Sequence, residues 1–567
     1  MSRREALLSA ALVFVVALVV RAWAASQITF PRPEDVAYYV GVARNLVEGR
    51  GLVTDAIWSF QTPPLSFPRP AFEVWLPLPS LLAAVPMAIL GTTFAAAQVS
   101  SVLVGSIVCV LAWRLAADVA ADRTMPVGRA RSFAIGVGLA SAVYLPLVLA
   151  SAQPDSTTPF AAVVLLACLL MARIQRAGAH LTDLLALGGL IGLAALIRNE
   201  AAWLALTWAI VALAIARRHA LEPVLEPTPE PRLWHTRSDR RFGRWFLLVA
   251  PAAIVAMVVF GPWAYRDWLV FGSPFPGQAL TNALSLDGRD IFAWQDQPTV
   301  GRYLAAGVPL LLELRWTGFV HNVLNVLVYL GIPLSVVGLL GLPRVFRGAR
   351  SSMEPMRPLV LFSGVTFLVA CLVFPVSTTW GTFLHAAGAI HVLLVISALL
   401  ALDRLIGWVG KRRGWTNPVA WLGPAFAIAG CLLFSVVLLM SDGRAARETA
   451  ARYEALAWAL EEGGAGIVLS EEPGPVITDF PIWLAEATRH STLALPNEPP
   501  DSVLSLARAF DPPARLLVVG AGNEGVWPAA ILSGGPGSEC FVPLTLPDSP
   551  DHPGALDDVL AFRIRCL

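Results

Sequence analysis

Long apolar runs separated by short arginine-rich segments dominate the chain. Eleven runs of about 16 to 25 residues are each close to the roughly 20 apolar residues that a helix needs to cross a bilayer. They cover 6–25, 94–113, 132–150, 157–172, 181–197, 201–216, 245–265, 318–342, 359–375, 385–402 and 419–440. The pattern predicts a mainly α fold, a polytopic membrane helical bundle with about 11 spans.

The composition agrees with a membrane protein. Hydrophobic residues make up 56% of the 567 residues and charged residues 14%, whereas soluble domains carry about 25% charged residues. The apolar runs predict the lipid bilayer as a partner, and no nucleic acid is expected. The first run is long for the apolar part of a signal peptide, which favours an uncleaved first span over a cleaved leader.

Arginines are concentrated in alternate loops, and this predicts the orientation. If segment 75–91 does not cross the membrane, every short arginine-rich loop is cytoplasmic, in agreement with the positive-inside rule. The segment contains Pro77, Pro79 and Pro86, so we expect an interfacial or re-entrant helix there. In this multi-pass protein of the plasma membrane, the N-terminus and a linker at 217–244 are then cytoplasmic. Outer loops are expected at 26–92 and 267–317.

The final part of the chain, 441–567, is more polar than the membrane region at 1–440. Alternating strand and helix patterns predict a small C-terminal extracytoplasmic α/β domain. Strands are expected at 466–469, 491–495 and 515–520, helices at 479–488 and 500–510, and a closing edge strand at 561–567. Cys540 and Cys566 can form a disulfide if this domain lies outside the cytoplasm.

Acidic and basic residues collect at the predicted outer face, at span ends and in the first outer loop. They include Glu34, Asp35, Arg69, Glu73, Asp155, Arg198, Arg266 and His385. Carboxylates there can act as a general base or hold a divalent cation, and arginines can pair with phosphate oxygens. Spacing alone leaves structural roles open: helix-terminal acids, a helix cap, span-end arginines and a structural histidine. The set suggests chemistry on a lipid phosphate.

Several short motifs together resemble the GT-C membrane glycosyltransferases that use polyprenyl-phosphate sugars. The similar branch contains protein O-mannosyltransferases and aminoarabinose transferases. The motifs are Pro33-Glu34-Asp35 with Tyr38 and 43–49, Phe72-Glu73, Asp155, 194–200 around Arg198, and Pro262-Trp263 through Arg266 with 271–274. The resemblance covers about residues 5–440 and rests on the combination of motifs.

The resemblance implies an inverting transferase that moves a sugar from a polyprenyl-phosphate donor to an acceptor hydroxyl at the outer face. The acceptor is a lipid, a glycan or a protein. Either Asp35 or Glu34 is implied as the base that deprotonates the acceptor. Arg198, Arg266 and His385 are implied to stabilise the leaving phosphate.

The remaining polar residues, in the first outer loop and after the third span, have two implied roles. Glu73 and Asp155 orient the acceptor or hold a divalent cation, Mg²⁺ or Mn²⁺, and Arg69 belongs to the same substrate-binding set. Two other classes stay open, a lipid or solute transporter and a non-catalytic relative with a role in assembly. A transporter is expected to show internal repeats and broken helices at the midplane. The charges here gather at one face, which favours the enzyme.

Overall fold

A computed structural model describes residues 2–219, 237–348, 354–415, 419–461, 469, 473–523 and 525–567. The first half contains helices α1 Arg3–Gln27, α2 Glu34–Val47, α3 Leu78–Leu90, α4 Phe94–Asp122, α5 Val127–Val143, α6 Leu145–Ala152, α7 Thr157–Ala177, α8 Leu181–Ala195, α9 Ala201–His219 and α10 Arg237–Phe271. The second half contains α11 Gln278–Leu284, α12 Val300–Ala305, α13 Gly307–His321, α14 Leu334–Gly348, α15 Arg357–Leu372, α16 Thr382–Ala386, α17 Gly388–Arg412, α18 Leu422–Glu461, α19 Pro481–Thr488, α20 Pro500–Arg508 and α21 Ala529–Leu532. The protein is mainly helical, as predicted.

Within the described ranges, six helices are long and apolar enough to cross a membrane: α1, α4, α7, α17, α18 and the 242–271 part of α10. The pair α5 and α6 forms a seventh such unit, bent by 54° between Val143 and Leu145. Shorter apolar helices are α3, α8, part of α9, part of α14 and α15. The total of about 11 spans therefore stays a prediction.

Helix α3 occupies the segment in which the three prolines argued against a span. Its 13 residues extend about 20 Å, well short of the roughly 30 Å of a hydrocarbon core. This length agrees with an interfacial or re-entrant helix.

One predicted span is not a continuous helix. The run 318–342 begins inside α13, passes through a π-helical segment at Asn322–Val328 and a short 3-10 turn, and resumes as α14 after Pro333. Pro333 has no N–H to donate and disfavours a helical conformation of the residue before it. The predicted outer loop 267–317 is also more ordered than expected, since it contains α11, α12 and most of α13.

Two predicted segments fall partly outside the described residues. The linker at 217–244 includes residues 220–236, which are not described, between the end of α9 and the start of α10. Of the strand expected at 466–469, only Leu469 is described.

The tail contains a mixed sheet that also takes a strand from the first outer loop. The strands are β1 Val53–Thr54, β2 Ala56–Ile57, β3 Arg69–Pro70, β4 Val476–Thr478, β5 Thr492–Ala494, β6 Leu516–Gly520, β7 Phe541–Leu544 and β8 Val559–Ile564. Six strands lie in the order β2-β5-β4-β6-β8-β7, while β1 and β3 pair separately. The strands β2, β5, β4 and β6 run parallel, and β8 is antiparallel to β6 and β7.

The structure changes two expectations about the tail. The last strand, β8, lies inside the sheet, because β7 pairs with its free side and forms the edge. The expected boundary at 440/441 lies within α18, whose 40 residues extend about 60 Å and so reach well beyond a bilayer. Cys540 and Cys566 form a disulfide.

The tail packs tightly on the helix that carries Asp35. Arg44 of α2 makes a two-pronged ion pair with Glu486 of α19, and both side chains are largely buried. The rings of Phe30, Tyr453 and Trp483 pack together at the same junction. The segment that carries Phe30 and α2 therefore packs with the tail as one unit.

Removing the carboxylate of Glu486 should destabilise this junction. In Glu486→Gln the buried guanidinium of Arg44 loses its counter-charge, which typically costs about 3 kcal/mol of unfolding free energy. The matched control is Asp55→Asn, which breaks a two-pronged pair with the more exposed Arg50 and should cost about 1 kcal/mol or less. Denaturant unfolding of the detergent-solubilised protein measures both. Equal losses would contradict the buried junction.

Candidate active site

Asp35 lies in the first turn of α2, within the segment 26–92 that follows α1. Pro33 precedes the helix as its N-cap, and the amide of Val36 donates to Asp35 Oδ1 at 3.1 Å. The carboxylate is 12% exposed. Its second oxygen, Oδ2, faces His385, which is distant in the sequence.

His385 bridges two aspartates. Its Nε2 lies 3.1 Å from Asp35 Oδ2, and its Nδ1 lies 3.0 Å from Asp155 Oδ2. His385 is on the short helix α16, before the apolar helix α17 begins. Gly381 makes the preceding turn with φ of 112°, a conformation that residues with a Cβ rarely adopt.

The charges of this triad depend on one another. A neutral imidazole has a single N–H, so hydrogen bonds to both carboxylates require the imidazolium form. Burial disfavours that form, but Asp155 and Asp35 outweigh it and raise the pKa of His385 to about 9. Burial raises the pKa of Asp35, although the charge of His385 acts against this. Asp35 is therefore a stronger base than an exposed aspartate.

Asp155 is held in its ionised form by the start of α7. The amide of Ser156 donates to Asp155 Oδ1 at 2.5 Å, and the hydroxyl of Thr157 donates to Oδ2. Burial acts to raise the pKa of Asp155, but the charge and hydrogen bond of His385 keep it well below its usual range. Asp155 thus provides a fixed negative charge beneath the imidazolium.

Arg198 supports the loop that carries Asp155. Its guanidinium donates to both oxygens of Glu200 at 3.0 and 2.8 Å, to Ser156 Oγ at 2.8 Å and to Thr382 O at 3.2 Å. These bonds tie the α8–α9 turn to the segments that carry Asp155 and His385. The ion pair with Glu200 partly neutralises the arginine.

Glu34 is adjacent to Asp35 but faces a different part of the protein. Its Oε1 accepts a hydrogen bond from the amide of Ile482 in α19 at 3.0 Å. Burial raises the pKa of Glu34 to about 8, although the amides of Ile482 and Trp483 oppose this. The structure therefore separates the two adjacent acids, with Asp35 in the triad and Glu34 at the tail junction.

A second polar cluster contains Arg69 and Glu73. Arg69 is fully buried and lies 3.4 Å from Glu73, while donating to the carbonyls of Ser59 and Thr62 at 2.7 and 2.9 Å. One carboxylate oxygen of Glu73, Oε2, is buried without a hydrogen-bond partner. Burial raises the pKa of Glu73, while Arg69 opposes the shift. This oxygen is available to a bound molecule.

Arg266 lies beside this second cluster. Its guanidinium stacks over Trp263 and Phe271 at 4.8 and 5.2 Å and bonds Asp267 at 2.8 Å. Trp263 in turn contacts the ring of Phe72, the residue before Glu73, at 5.6 Å. Phe72 has φ of 78° and donates its amide to the hydroxyl of Tyr38 at 2.6 Å. A strained residue thus sets the direction of Glu73.

The polar groups that hold the site in place were not predicted from the sequence. Thr157 and Ser156 bind Asp155, and Tyr39 is buried close to Asp35 and Arg198. A Ser-Thr pair after an aspartate is an ordinary signal for the start of a helix. The sequence around Glu34 does not indicate its hydrogen bond with the tail, because the donor, Ile482, is 448 positions away.

One group in the described part of the chain has donor atoms close enough to hold a metal ion. Asp35, Asp155 and His385 offer two carboxylate oxygens and an imidazole nitrogen within 4.8 Å of one another. These donors suit Mn²⁺ better than Mg²⁺, which prefers oxygen ligands. Glu73, expected as a ligand with Asp155, is paired with Arg69 and is not in this group. A cation held by these three residues would take the place of a proton on His385 and would supply positive charge between the two aspartates.

The comparisons with known proteins point to one fold. No protein-family profile matches the chain, and neither does any curated protein. The crystal structure of ArnT from Cupriavidus metallidurans bound to undecaprenyl phosphate is similar over 98% of this chain and 97% of its own, with a TM-score of 0.59 and 13% identity. Its apo state has the same coverage and identity, with a TM-score of 0.56.

The chain shares the fold of ArnT. The similarity extends over the apolar helices and the tail, since it covers 98% of the chain. The fold that the sequence motifs imply is thereby confirmed.

Proposed function

We propose that this protein is an inverting glycosyltransferase that uses a polyprenyl-phosphate sugar and an acceptor hydroxyl at the outer face of the membrane. The observation that carries the proposal is the buried Asp35–His385–Asp155 triad at the end of the helical bundle in a GT-C fold. The undecaprenyl phosphate bound to ArnT supports a lipid phosphate as part of the donor.

Asp35 is the base in this proposal, and Glu34 is not. Asp35 is a member of the triad, and burial strengthens it as a base. Glu34 accepts a backbone hydrogen bond from the tail and has its pKa raised to about 8. At neutral pH Glu34 is mostly protonated, so it serves to connect α2 with α19.

The reaction is a single displacement at the anomeric carbon. Asp35 takes the proton of the acceptor hydroxyl, and the acceptor oxygen forms a bond to the anomeric carbon from the side opposite the phosphate. The bond between that carbon and the phosphate oxygen breaks, and its electron pair leaves with polyprenyl phosphate. His385 and Asp155 hold the Asp35 carboxylate in one orientation throughout.

Arg266 is the cation that we assign to the leaving phosphate. Arg198 is bonded to Glu200 through two nitrogens and acts as a positioning residue for Asp155. Arg266 has a side chain that is 23% exposed and forms an ion pair with Asp267 through Nη1. Its other N–H groups can donate to phosphate oxygens. Glu73, whose Oε2 has no partner, and Arg69 are assigned to substrate orientation.

A divalent cation fits the triad as an alternative to the proton on His385. Asp35, Asp155 and His385 would hold it, and it would supply positive charge next to the reacting groups. In either case the two aspartates are held together by a shared positive charge.

We also propose that the triad and the tail lie outside the cytoplasm. The arginine-rich loops at 114–131, 173–176 and 404–413 follow the positive-inside rule in that orientation. The disulfide between Cys540 and Cys566 supports it, because disulfides persist in oxidising compartments. A reporter fused after Arg123 should give a cytoplasmic signal, and one fused after Leu567 an external signal. The reverse pattern would refute this orientation.

Transfer of labelled sugar tests the proposed activity. Membranes that contain the protein should convert radiolabelled polyprenyl-phosphate sugar into a product without the polyprenyl group. Membranes with Asp35→Asn should leave the donor intact. Movement of intact labelled lipid from one leaflet to the other, without cleavage, would instead identify a lipid transporter and overturn the proposal.

A further inference from the structure

A groove between α14 and α17 lies at the end of the bundle opposite the triad. It has a volume of about 570 Å³ and is lined by Arg344, Ala401, Arg404, Leu405 and Trp408. Arg404 lies 16 positions after the start of α17 at Gly388, which corresponds to about 24 Å along that helix. The groove is thus separated from the candidate active site by most of the roughly 30 Å of a hydrocarbon core.

The groove begins where the close packing of the two helices ends. Gly338 and Gly341 of α14 lie against α17, and Ser397 Oγ donates to Gly338 O at 2.7 Å. Small residues of this kind let two membrane helices approach closely. One turn further along, α14 carries Arg344 and α17 carries Ala401. Both residues line the groove.

Both arginines of the groove lack an acidic partner among the described residues. Neither Arg344 nor Arg404 lies within 4.0 Å of a described carboxylate. Asp403, the acidic residue of α17, is held by Arg129 at 2.9 and 2.7 Å. Within the described ranges, neither guanidinium therefore has its charge balanced by an ion pair.

The walls of the groove are apolar and open towards lipid. Leu405 and Trp408, which line the groove, are 53% and 51% exposed, and apolar surface of this kind on a membrane bundle contacts acyl chains. Trp408 is at the level where aromatic residues mark the membrane interface. The guanidinium of Arg412 stacks on Trp408 at 4.0 Å and adds to the positive charge.

We infer that this groove binds an anionic phospholipid. Its phosphate lies between Arg344 and Arg404, and an acyl chain follows Leu405 and Trp408. Guanidinium groups pair well with phosphate oxygens, and basic pockets between membrane helices bind acidic headgroups. In the proposed orientation the groove faces the inner leaflet, away from the polyprenyl-phosphate donor. It is therefore a lipid site separate from the proposed reaction.

Lipid titrations of the full-length protein in detergent, followed by native mass spectrometry, test this inference. Dioleoylphosphatidylglycerol should bind more tightly than dioleoylphosphatidylcholine. The double variant Arg344→Gln/Arg404→Gln should bind phosphatidylglycerol about thirtyfold more weakly, and Arg404→Gln alone about fivefold. The matched control is Arg413→Gln at the end of α17, outside the groove, which should change the affinity less than about twofold.

Three results would overturn the inference. They are equal affinity of the wild type for the two lipids, an unchanged affinity of the double variant, and displacement of bound phosphatidylglycerol by inorganic phosphate at constant ionic strength. The last result would identify a site for small anions. If the double variant does not fold, the single variant decides. Sugar transfer is not the readout, so failure of the proposed activity leaves this test unaffected.

Discussion

Replacing Asp35 with asparagine is expected to lower kcat for sugar transfer by about 10²–10⁴-fold, the usual contribution of a general base. Asparagine keeps the size of the side chain and its hydrogen bond from Val36, but it cannot take the acceptor proton. Initial rates with saturating polyprenyl-phosphate sugar measure the effect in the purified protein.

The adjacent acid provides the control for this experiment. Glu34→Gln keeps an oxygen that accepts from the amide of Ile482, so kcat should stay within about twofold of the wild type if Asp35 alone is the base. Loss of activity in Glu34→Gln together with full activity in Asp35→Asn would reverse the assignment. Unfolding midpoints of both variants separate chemistry from misfolding.

Replacing His385 with glutamine should lower kcat by about 10²-fold, because misplacing a catalytic group by about an ångström has effects of this size. Glutamine can bond one of the two aspartates but cannot provide the imidazolium that bridges Asp35 and Asp155. The change should also alter the pH profile. In the wild type, activity should fall as pH rises through about 9, where the imidazolium loses its proton.

The same group predicts how stability depends on pH. The folded-state pKa of His385 is raised from 6.5 to about 9, so its contribution to stability is full below 6.5 and is lost as pH rises through about 9. His385→Gln should lack this loss between pH 6.5 and 9. The matched control is His391→Gln, a buried histidine of α17 that bonds Tyr144 at 3.2 Å. If His385→Gln still loses stability as pH rises towards 9, the bridging role of His385 between Asp35 and Asp155 would be contradicted.

The membrane region was largely predictable because span length and hydrophobicity are local properties of the sequence. The three prolines of 75–91 and the arginine distribution were sufficient to predict a short helix at α3. The interruption near Pro333 was not predicted, because the apolar run 318–342 continues through it. Apolar character alone does not distinguish one long helix from two that meet at a break.

The sharing of the tail sheet could not be read from the sequence. β2 has two residues, too few for a recognisable alternation, and it pairs with β5 more than 430 positions away. Arg44 and Glu486 are similarly far apart in the sequence, so their contact could not be predicted either. Such pairings are set by tertiary packing, and the loop and the tail therefore looked like separate regions.

The candidate site was predicted as a set of residues at one face, and its internal arrangement required the structure. Adjacent helical residues point about 100° apart, so Glu34 and Asp35 are directed to different partners. Which of them faces the bundle depends on how α2 docks on the tail. His385 appeared as an isolated histidine before an apolar run, and only the fold brings it between Asp35 and Asp155.

The central claim is that the protein transfers a sugar and releases polyprenyl phosphate through the Asp35 site. A donor with tritium in the sugar and radioactive phosphorus in the lipid phosphate tests it directly in the purified protein with an acceptor-containing membrane extract. The wild type should release labelled polyprenyl phosphate in equal amount to the tritium found in acceptor, and Asp35→Asn should release neither. Tritium and phosphorus that stay together in every product, or equal transfer by Asp35→Asn, would contradict the claim.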